Sequence, residues 1–319
     1  MINWGIIGFG NMGKQFLDCF NYYNSEISLV SIASKSKFLD KKLNEKFIHF
    51  KNYDDLINFD KIDALYIATL NNSHKNLVLQ ACKKNKKILC EKPAGLNLEE
   101  VQEIYENFKN KKDHFFEAIA YRSHPQIYSL KKILNDNEIG DISKITSSFG
   151  FKVKNQNKDS RLFNKNLGGG SILDLGCYPI SFFNLFKKKN GKIQIKNKVK
   201  EIGKTNVDID ANISLKIDDK IQAAARVSLK ENLPNNCLIE CDKARILVSD
   251  PWMPNEKSFI QVETKSRSYK IFDKNKLTAL TYQLKAVSEN FNNSYNNKYL
   301  VNIDESLDIS KIIDLWMIE

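Results

Sequence analysis

The 319-residue sequence predicts an α/β fold: an N-terminal doubly wound parallel sheet, then a C-terminal α+β domain with an open, mostly antiparallel sheet. Three observations carry this expectation. Apolar runs alternate with helix-periodic segments as far as Tyr121. The turn Gly8-Phe9-Gly10-Asn11-Met12-Gly13 joins the first apolar run to the first helix. Beyond Tyr121, strand-like runs succeed one another with few helices between them.

Ile2–Ile7 reads as the first strand, and Met12, Phe16, Cys19 and Phe20 share one side of a helix over Met12–Asn21. Ile27–Ala33, Ala64–Ala68, Lys87–Cys90 and Phe115–Ala120 read as further strands. Ser73 is placed to cap a helix running to Lys84. Asn97 with Glu100 forms a capping-box pattern for a helix through Phe108. Ile127–Leu134 reads as helix, Ile142–Phe151 as strand and residues 152–167 as a polar loop, after which Gly168-Gly169-Gly170 opens another helix. Val207–Ile217, Ile221–Leu229, Cys237–Val248 and Phe259–Phe272 are strand-like, and helices follow near 277–292 and 304–318. The change of pattern places a domain boundary between 121 and 122, and the last helix of the 122–319 domain can pack back on the 1–121 domain.

A hydrophobic fraction of 42% and a charged fraction of 27% are those of a globular protein, and no apolar run is long enough to span a bilayer. The N-terminus enters the glycine turn directly, without a basic stretch, so it reads as a strand and a cytoplasmic location is expected. None of the six cysteines forms a CxxC pair, which argues for reduced buried thiols and against a metal site. The formal net charge is +11, but the lysines are scattered. The cluster Lys83, Lys84, Lys86 and Lys87 sits at a helix C-terminus, where cations suit the dipole, so nucleic-acid binding is not expected.

In a GxGxxG turn the first glycine permits the bend, the second lets backbone approach a pyrophosphate, and the third lets helix pack on strand. Helix N-terminal amides then face the phosphates. Gly8, Phe9, Gly10, Asn11, Met12 and Gly13 are therefore candidate dinucleotide contacts. The second strand ends in Ser34 and Lys35, with no acidic residue to take a ribose 2′-hydroxyl. A hydroxyl and an amine there suit a 2′-phosphate, which favours NADP over NAD, although Lys35 and Lys37 also read as solvated loop lysines.

Ligands of open α/β sheets bind beyond the C-terminal ends of the strands. One strand there is followed by Thr69-Leu70-Asn71-Asn72-Ser73-His74, and the next by Glu91-Lys92-Pro93. Pro93 keeps Lys92 extended, so that its amine reaches over the end of the sheet, where a cation can stabilise a developing alkoxide or lower a partner's pKa. In Gly168–Pro179, Asp174 and Tyr178 stand one helical turn apart. A carboxylate can accept from sugar hydroxyls, and a phenol can pass a proton. Pro179 is expected to kink that helix soon afterwards. Lys92 alone also reads as a surface lysine, and Tyr178 alone as a core residue with a satisfied hydroxyl.

These motifs resemble the glucose–fructose oxidoreductase/inositol dehydrogenase (Gfo/Idh/MocA) family. The resemblance rests on Gly8–Gly13, Ala68–His74, Cys90–Pro93, Glu117–Gln126 and Gly168–Pro179, in family order. It implies an N-terminal Rossmann domain that binds the dinucleotide, and a C-terminal domain that binds substrate and whose open sheet often makes a dimer interface, so a homodimer or homotetramer is expected. It implies hydride transfer between nicotinamide and a secondary alcohol or carbonyl of a sugar, nucleotide sugar or cyclic polyol. Lys92 matches the lysine of the family's EKP motif, and Tyr178 stands where many members carry histidine and some tyrosine. The Gly-Cys-Tyr-Pro form is most similar to a largely NADP-using branch that includes xylose and dihydrodiol dehydrogenases. By the same resemblance, Thr69, Asn71, His74 and Glu91 belong to the cofactor side and Arg122 and His124 to the pocket floor. On this reading Lys92, Tyr178 and Asp174 are catalytic, with Tyr178 moving the proton, Lys92 lowering its pKa, Asp174 orienting a hydroxyl and Arg161 meeting a polar substituent.

Two departures stand out. Ser123 replaces a common aromatic, and Leu238–Arg245 lacks the glycines often found in that turn, which puts its hairpin in doubt. Two other readings stay open: an enzyme that retains and recycles its nicotinamide, giving no net redox change or oxidoreduction between two sugars, and a non-enzymatic cofactor-sensing or structural protein on the same scaffold.

Overall fold

The computed structural model describes residues 1–23, 27–35, 41–273, 277–292 and 297–318. The chain divides into two compact units, Met1–Ser123 with Leu280–Asp308 and His124–Ala279 with Ile309–Glu319. Its strands are β1 (Ile2–Ile7), β2 (Ile27–Ala33), β3 (Ile48–Phe50), β4 (Ala64–Ile67), β5 (Lys87–Glu91), β6 (Phe115–Ala118), β7 (Ile142–Gly150) and β8 (Ile193–Ile202). They continue with β9 (Asp208–Ile217), β10 (Ile221–Ser228), β11 (Asn236–Cys241), β12 (Ala244–Ser249), β13 (Phe259–Thr264), β14 (Ser268–Phe272) and β15 (Val301–Asn302). The helices are α1 (Asn11–Cys19), α2 (Lys41–Lys46), α3 (Tyr53–Ile57), α4 (His74–Lys83), α5 (Leu98–Phe108), α6 (Pro125–Leu134), α7 (Ser171–Leu175), α8 (Cys177–Asn184), α9 (Ala279–Phe291) and α10 (Ile303–Met317).

In the first unit the strand order is β15-β6-β5-β4-β1-β2-β3. Every pair is parallel except β15 on β6. Successive residues of one strand point to opposite faces, and both faces are sealed. Ile6 and Tyr66 join a cluster with Trp4, Phe16 and the α9 residues Leu284 and Phe291. Ile7, Leu65 and Ile67 join another with Val78, Ile104 and Leu307. Burial on both sides explains why these strands read as unbroken apolar runs. The order reverses between β1 and β4, so a crevice opens at the ends of those strands.

The second unit holds a sheet of order β14-β13-β12-β11-β7-β10-β9-β8, antiparallel except for the β7–β10 pair. Along β7, Ile145, Ser147 and Phe149 are buried while Thr146 is exposed, and β9 alternates in the same way from Ala211 onward. Helix α7 lies against β9 and β10, and α8 against β7. The other face is lined by Thr146, Asn212, Leu238, Arg245 and Gln261 around a depression of about 610 Å³.

Several expectations are corrected. Strand β8 is not anticipated, because Lys196, Lys198 and Lys200 give this edge strand a polar look; such lysines suit an edge that must not pair. Cys237–Val248 and Phe259–Phe272 each fold as a hairpin rather than one strand. The first forms without glycine: Asp242 and Lys243 at its tip donate their amides to the Asp141 and Ile139 carbonyls. Ser73 stands at the start of α4, yet its hydroxyl donates to the Leu70 carbonyl and bonds the Thr69 hydroxyl instead of capping. The Asn97 cap forms, with Asn97 accepting the Glu100 amide at 2.9 Å, but the return bond goes one residue beyond the box, Glu100 accepting the amide of Leu96 at 2.8 Å. Pro179 does not break the helix after itself. It lies in the first turn of α8, where a missing N–H is tolerated, and the interruption comes earlier, at Gly176. No helix among the described residues is long and apolar enough to cross a membrane.

Candidate active site

Strand β1 ends in the glycine turn. Gly8 has φ +91°, and a Cβ there would stand 2.6 Å from the Ala68 carbonyl oxygen, so only glycine lets the ends of β1 and β4 lie so close. A Cβ on Gly13 would run into the Gly8 carbonyl, so α1 seats directly on the turn. Gly10 differs: nothing lies within 4 Å of where its Cβ would be. Gly10, Asn11 and Met12 are exposed and Phe9 half-buried. No side chain caps α1, and no acidic residue occupies its first turn. An open glycine before uncapped helix amides fits a pyrophosphate.

At the end of β2, Ser34 is buried and its amide donates to the Phe50 carbonyl at 3.0 Å. Lys35 is exposed, with its amine 5.0 Å from the Tyr53 ring centroid, which leaves a cation beside the crevice. Lys37 lies outside the described residues.

The ends of β4 and β5 are stitched together by His74, whose Nδ1 lies 2.8 Å from the Pro93 carbonyl and Nε2 3.2 Å from the Thr69 carbonyl. Burial lowers its pKa, the carbonyls oppose that, and the charge of Lys92 lowers it further. A neutral imidazole has one N–H, and the shorter contact suits Nδ1 as the donor, so the hydrogen bond is the one to Pro93 and Nε2 makes none to the Thr69 carbonyl. His74 is thus a completely buried clamp between the two loops. Asn71 is buried in the intervening turn. Glu91 is buried too, and accepts the Tyr66 hydroxyl at 2.5 Å, so a member of the β5 motif expected on the cofactor side anchors the sheet interior. Lys92 follows it half-buried, through a cis peptide to Pro93.

Arg122 and His124, expected at a pocket floor, are both buried, and each has a partner in its own unit. Arg122 forms a two-pronged pair with Glu305 of α10, at 2.6 and 3.1 Å. His124 caps α6 by accepting the Gln126 amide at Nδ1, and its Nε2 lies 3.4 Å from Asp273. Their motif marks a domain-joining turn whose polar groups are needed to end β6 and begin α6.

In the second unit, Asp208 of β9 accepts the Ser171 hydroxyl at 2.6 Å and the Ile172 amide at 2.7 Å, fixing the start of α7. Between Gly170 and Asn184 every residue is buried except Tyr178, which is half-buried. Gly176 keeps right-handed helical angles, so Asp174 and Tyr178 remain about one turn apart. The Tyr178 ring meets Phe149 edge-on at 5.3 Å and Trp252 at 6.3 Å, which leaves its rotation little freedom. Asp174 is almost covered, and its Oδ1 accepts from Arg161 at 2.8 Å, while Arg161 remains 49% exposed. The structure therefore joins Arg161 to Asp174, a pairing the sequence does not announce. Asp208, Phe149 and Trp252 carry no motif either. Glu117 does carry a signal: it is the lone carboxylate in the apolar strand Phe115–Ala118. Among the described residues no cluster of metal-ligating side chains occurs.

Comparison with known proteins places these features. Residues 2–118 match the family model described as "Oxidoreductase family, NAD-binding Rossmann fold", and residues 127–247 match the GFO/IDH/MocA C-terminal domain. Trans-1,2-dihydrobenzene-1,2-diol dehydrogenase of Mus musculus is 28% identical over 261 residues, covering 80% of this chain and 77% of its own. That of Xenopus tropicalis is 28% identical over 277 residues, covering 84% and 81%. The 3-ketoreductase KijD10 of Actinomadura kijaniata, solved with NADP and TDP-benzene, has the same fold, with TM-score 0.86, 19% identity and coverage of 98% and 96%. Aldose–aldose oxidoreductase of Caulobacter crescentus, complexed with glycerol, gives TM-score 0.82 at 17% identity, covering 99% and 96%.

Proposed function

The chain belongs to the GFO/IDH/MocA oxidoreductase family, and on that premise we propose that it is an NADP-preferring dehydrogenase or reductase acting on a ring-borne secondary alcohol or carbonyl of a sugar, nucleotide sugar or cyclic diol. The observation that carries this reading is Tyr178, the one residue of its helical segment that keeps access to its surroundings while packed in aromatic neighbours. A core tyrosine would be covered like those around it.

The bound dinucleotide would supply a hydride acceptor or donor at its nicotinamide; all else falls to the chain. The Gly10 opening and the α1 amides would take its pyrophosphate, and Ser34 and Lys35 a 2′-phosphate. Tyr178 takes the hydroxyl proton in oxidation and returns it in reduction. The Lys92 ammonium hydrogen-bonds the reacting oxygen as charge develops on it. Asp174, paired with Arg161, accepts from the neighbouring hydroxyl of the substrate. The relatives' vicinal diol has that arrangement of two adjacent hydroxyls. The open face of the second sheet would pair with a second copy of the chain.

A panel of aldoses, nucleotide sugars and trans-1,2-cyclic diols with each nicotinamide, followed by reduced-cofactor absorbance, tests the proposal. Turnover is expected with NADP above NAD. Turnover of none of them, or a preference for NAD, would overturn the corresponding part.

A further inference from the structure

All residues of β6, Phe115–Ala118, are buried, and Glu117 is 3% exposed. A carboxyl buried there without partners is strongly disfavoured, so its partners are informative. Glu117 Oε1 accepts the backbone N–H of Ala94, the second residue after Lys92, at 3.0 Å. Glu117 also stands in register with Cys90, so the strand that delivers Lys92 and the strand that carries Glu117 are neighbours. The charge of Lys92 acts on both Glu117 and His74. The Lys92-Pro93-Ala94 segment is therefore held twice, at the Pro93 carbonyl by His74 and at the Ala94 amide by Glu117.

We propose that Glu117 is a positioning residue for Lys92: it fixes the backbone from which the lysine departs and supplies the negative charge that keeps the amine protonated. The proposal rests on the role given to Lys92 above. The other ionisable groups around Glu117 are engaged elsewhere. Cys90, on the adjacent strand, is held neutral by burial, with Glu117 and Glu91 adding to that. Glu91 accepts the Tyr66 hydroxyl, and Glu305 of α10 is paired with Arg122. Burial raises the Glu117 carboxyl from 4.5 to about 7; the Ser306 hydroxyl, the Ala94 amide and Lys92 oppose that rise, and Glu305 adds to it. Glu117 thus gains its charge near neutrality, and its electrostatic hold on Lys92 weakens as the pH falls below that value.

The test needs no substrate. The purified protein and its Glu117→Gln variant are acylated with N-acetoxysuccinimide from pH 6 to 9, and the rate at Lys92 is read by mass spectrometry against the exposed control Lys61. Glutamine keeps an acceptor for Ala94 but removes the charge. Lys92 is expected to react about threefold faster or more in the variant at pH 8, half a pKa unit or more of coupling, with Lys61 unchanged. Equal Lys92 rates would overturn the proposal. Should the variant fail to fold, the wild-type profile serves: a second inflection near pH 7 at Lys92, absent at Lys61, supports the coupling, and a single titration refutes it. Full activity of Lys92→Met would instead remove the role of Lys92 and leave the measured coupling standing, so the two failures are distinguishable.

Discussion

The two sheets bury their residues differently. The first is sealed on both faces, by Trp4, Phe16 and Tyr66 on one side and Leu65, Ile67 and Val78 on the other. The second packs one face on helices and leaves Thr146, Asn212 and Gln261 on the other. In a sheet covered twice, a polar side chain is an exception that has to be explained, and the carboxylates Glu91 and Glu117 each have a specific partner. In a sheet covered once, a polar residue at every second position is background, and the informative residue is one that escapes burial on the packed side, as Tyr178 does.

The largest effect expected from this contrast is catalytic. Lys92→Met should cut turnover about a thousandfold with NADP binding nearly intact, measured by steady-state rates and cofactor fluorescence titration. Next comes the glycine turn. Gly8→Ala meets the Ala68 carbonyl in a left-handed backbone and should cost about 2–4 kcal/mol of stability, seen in denaturant midpoints. Gly10→Ala should leave the midpoint unchanged and weaken NADP binding, because its Cβ meets only the space assigned to phosphate. Truncation should then separate the sheets. Leu65→Ala, fully buried, should cost about 2–5 kcal/mol, while Val199→Ala on the edge strand, 59% exposed, should stay within about 0.5 kcal/mol. Equal costs would erase the distinction between the sheets.

The smallest effect is one of pH. Folding raises the Glu117 carboxyl from 4.5 to about 7, so the folded state binds this proton more tightly than the unfolded chain. The resulting stability is complete below 4.5 and is lost as the pH rises through about 7. Glu117→Gln removes it, so the fall in melting temperature between pH 5 and pH 8 should be shallower in the variant than in the wild type.

Much of this was legible in the sequence because local chemistry decided it. The Gly8–Gly13 turn announces its backbone, since the bend and close packing admit little else. The parallel strands announce themselves as continuous apolar runs, and Asn97 caps its helix as its spacing to Glu100 suggests. What stayed hidden depends on distant partners. The Arg122–Glu305 pair spans 183 positions, and no spacing rule reports it. The same holds for Asp208, which reaches across 37 positions to the Ser171 hydroxyl. Strand β8 was masked by lysines chosen for an edge, not for a core. The glycine-free hairpin at Asp242 was doubtful from its turn alone, because the carbonyls that satisfy its tip come from residues 139 and 141.

The central claim is that Lys92 and Tyr178 serve one proton-transfer step. A double-mutant cycle of Lys92→Met and Tyr178→Phe, on the alcohol that the wild type oxidises fastest with NADP, addresses it directly. The double variant is expected to be no slower than the slower single variant, because removing either residue already disables the shared step. Multiplicative losses in the double variant would show two independent contributions and contradict the account.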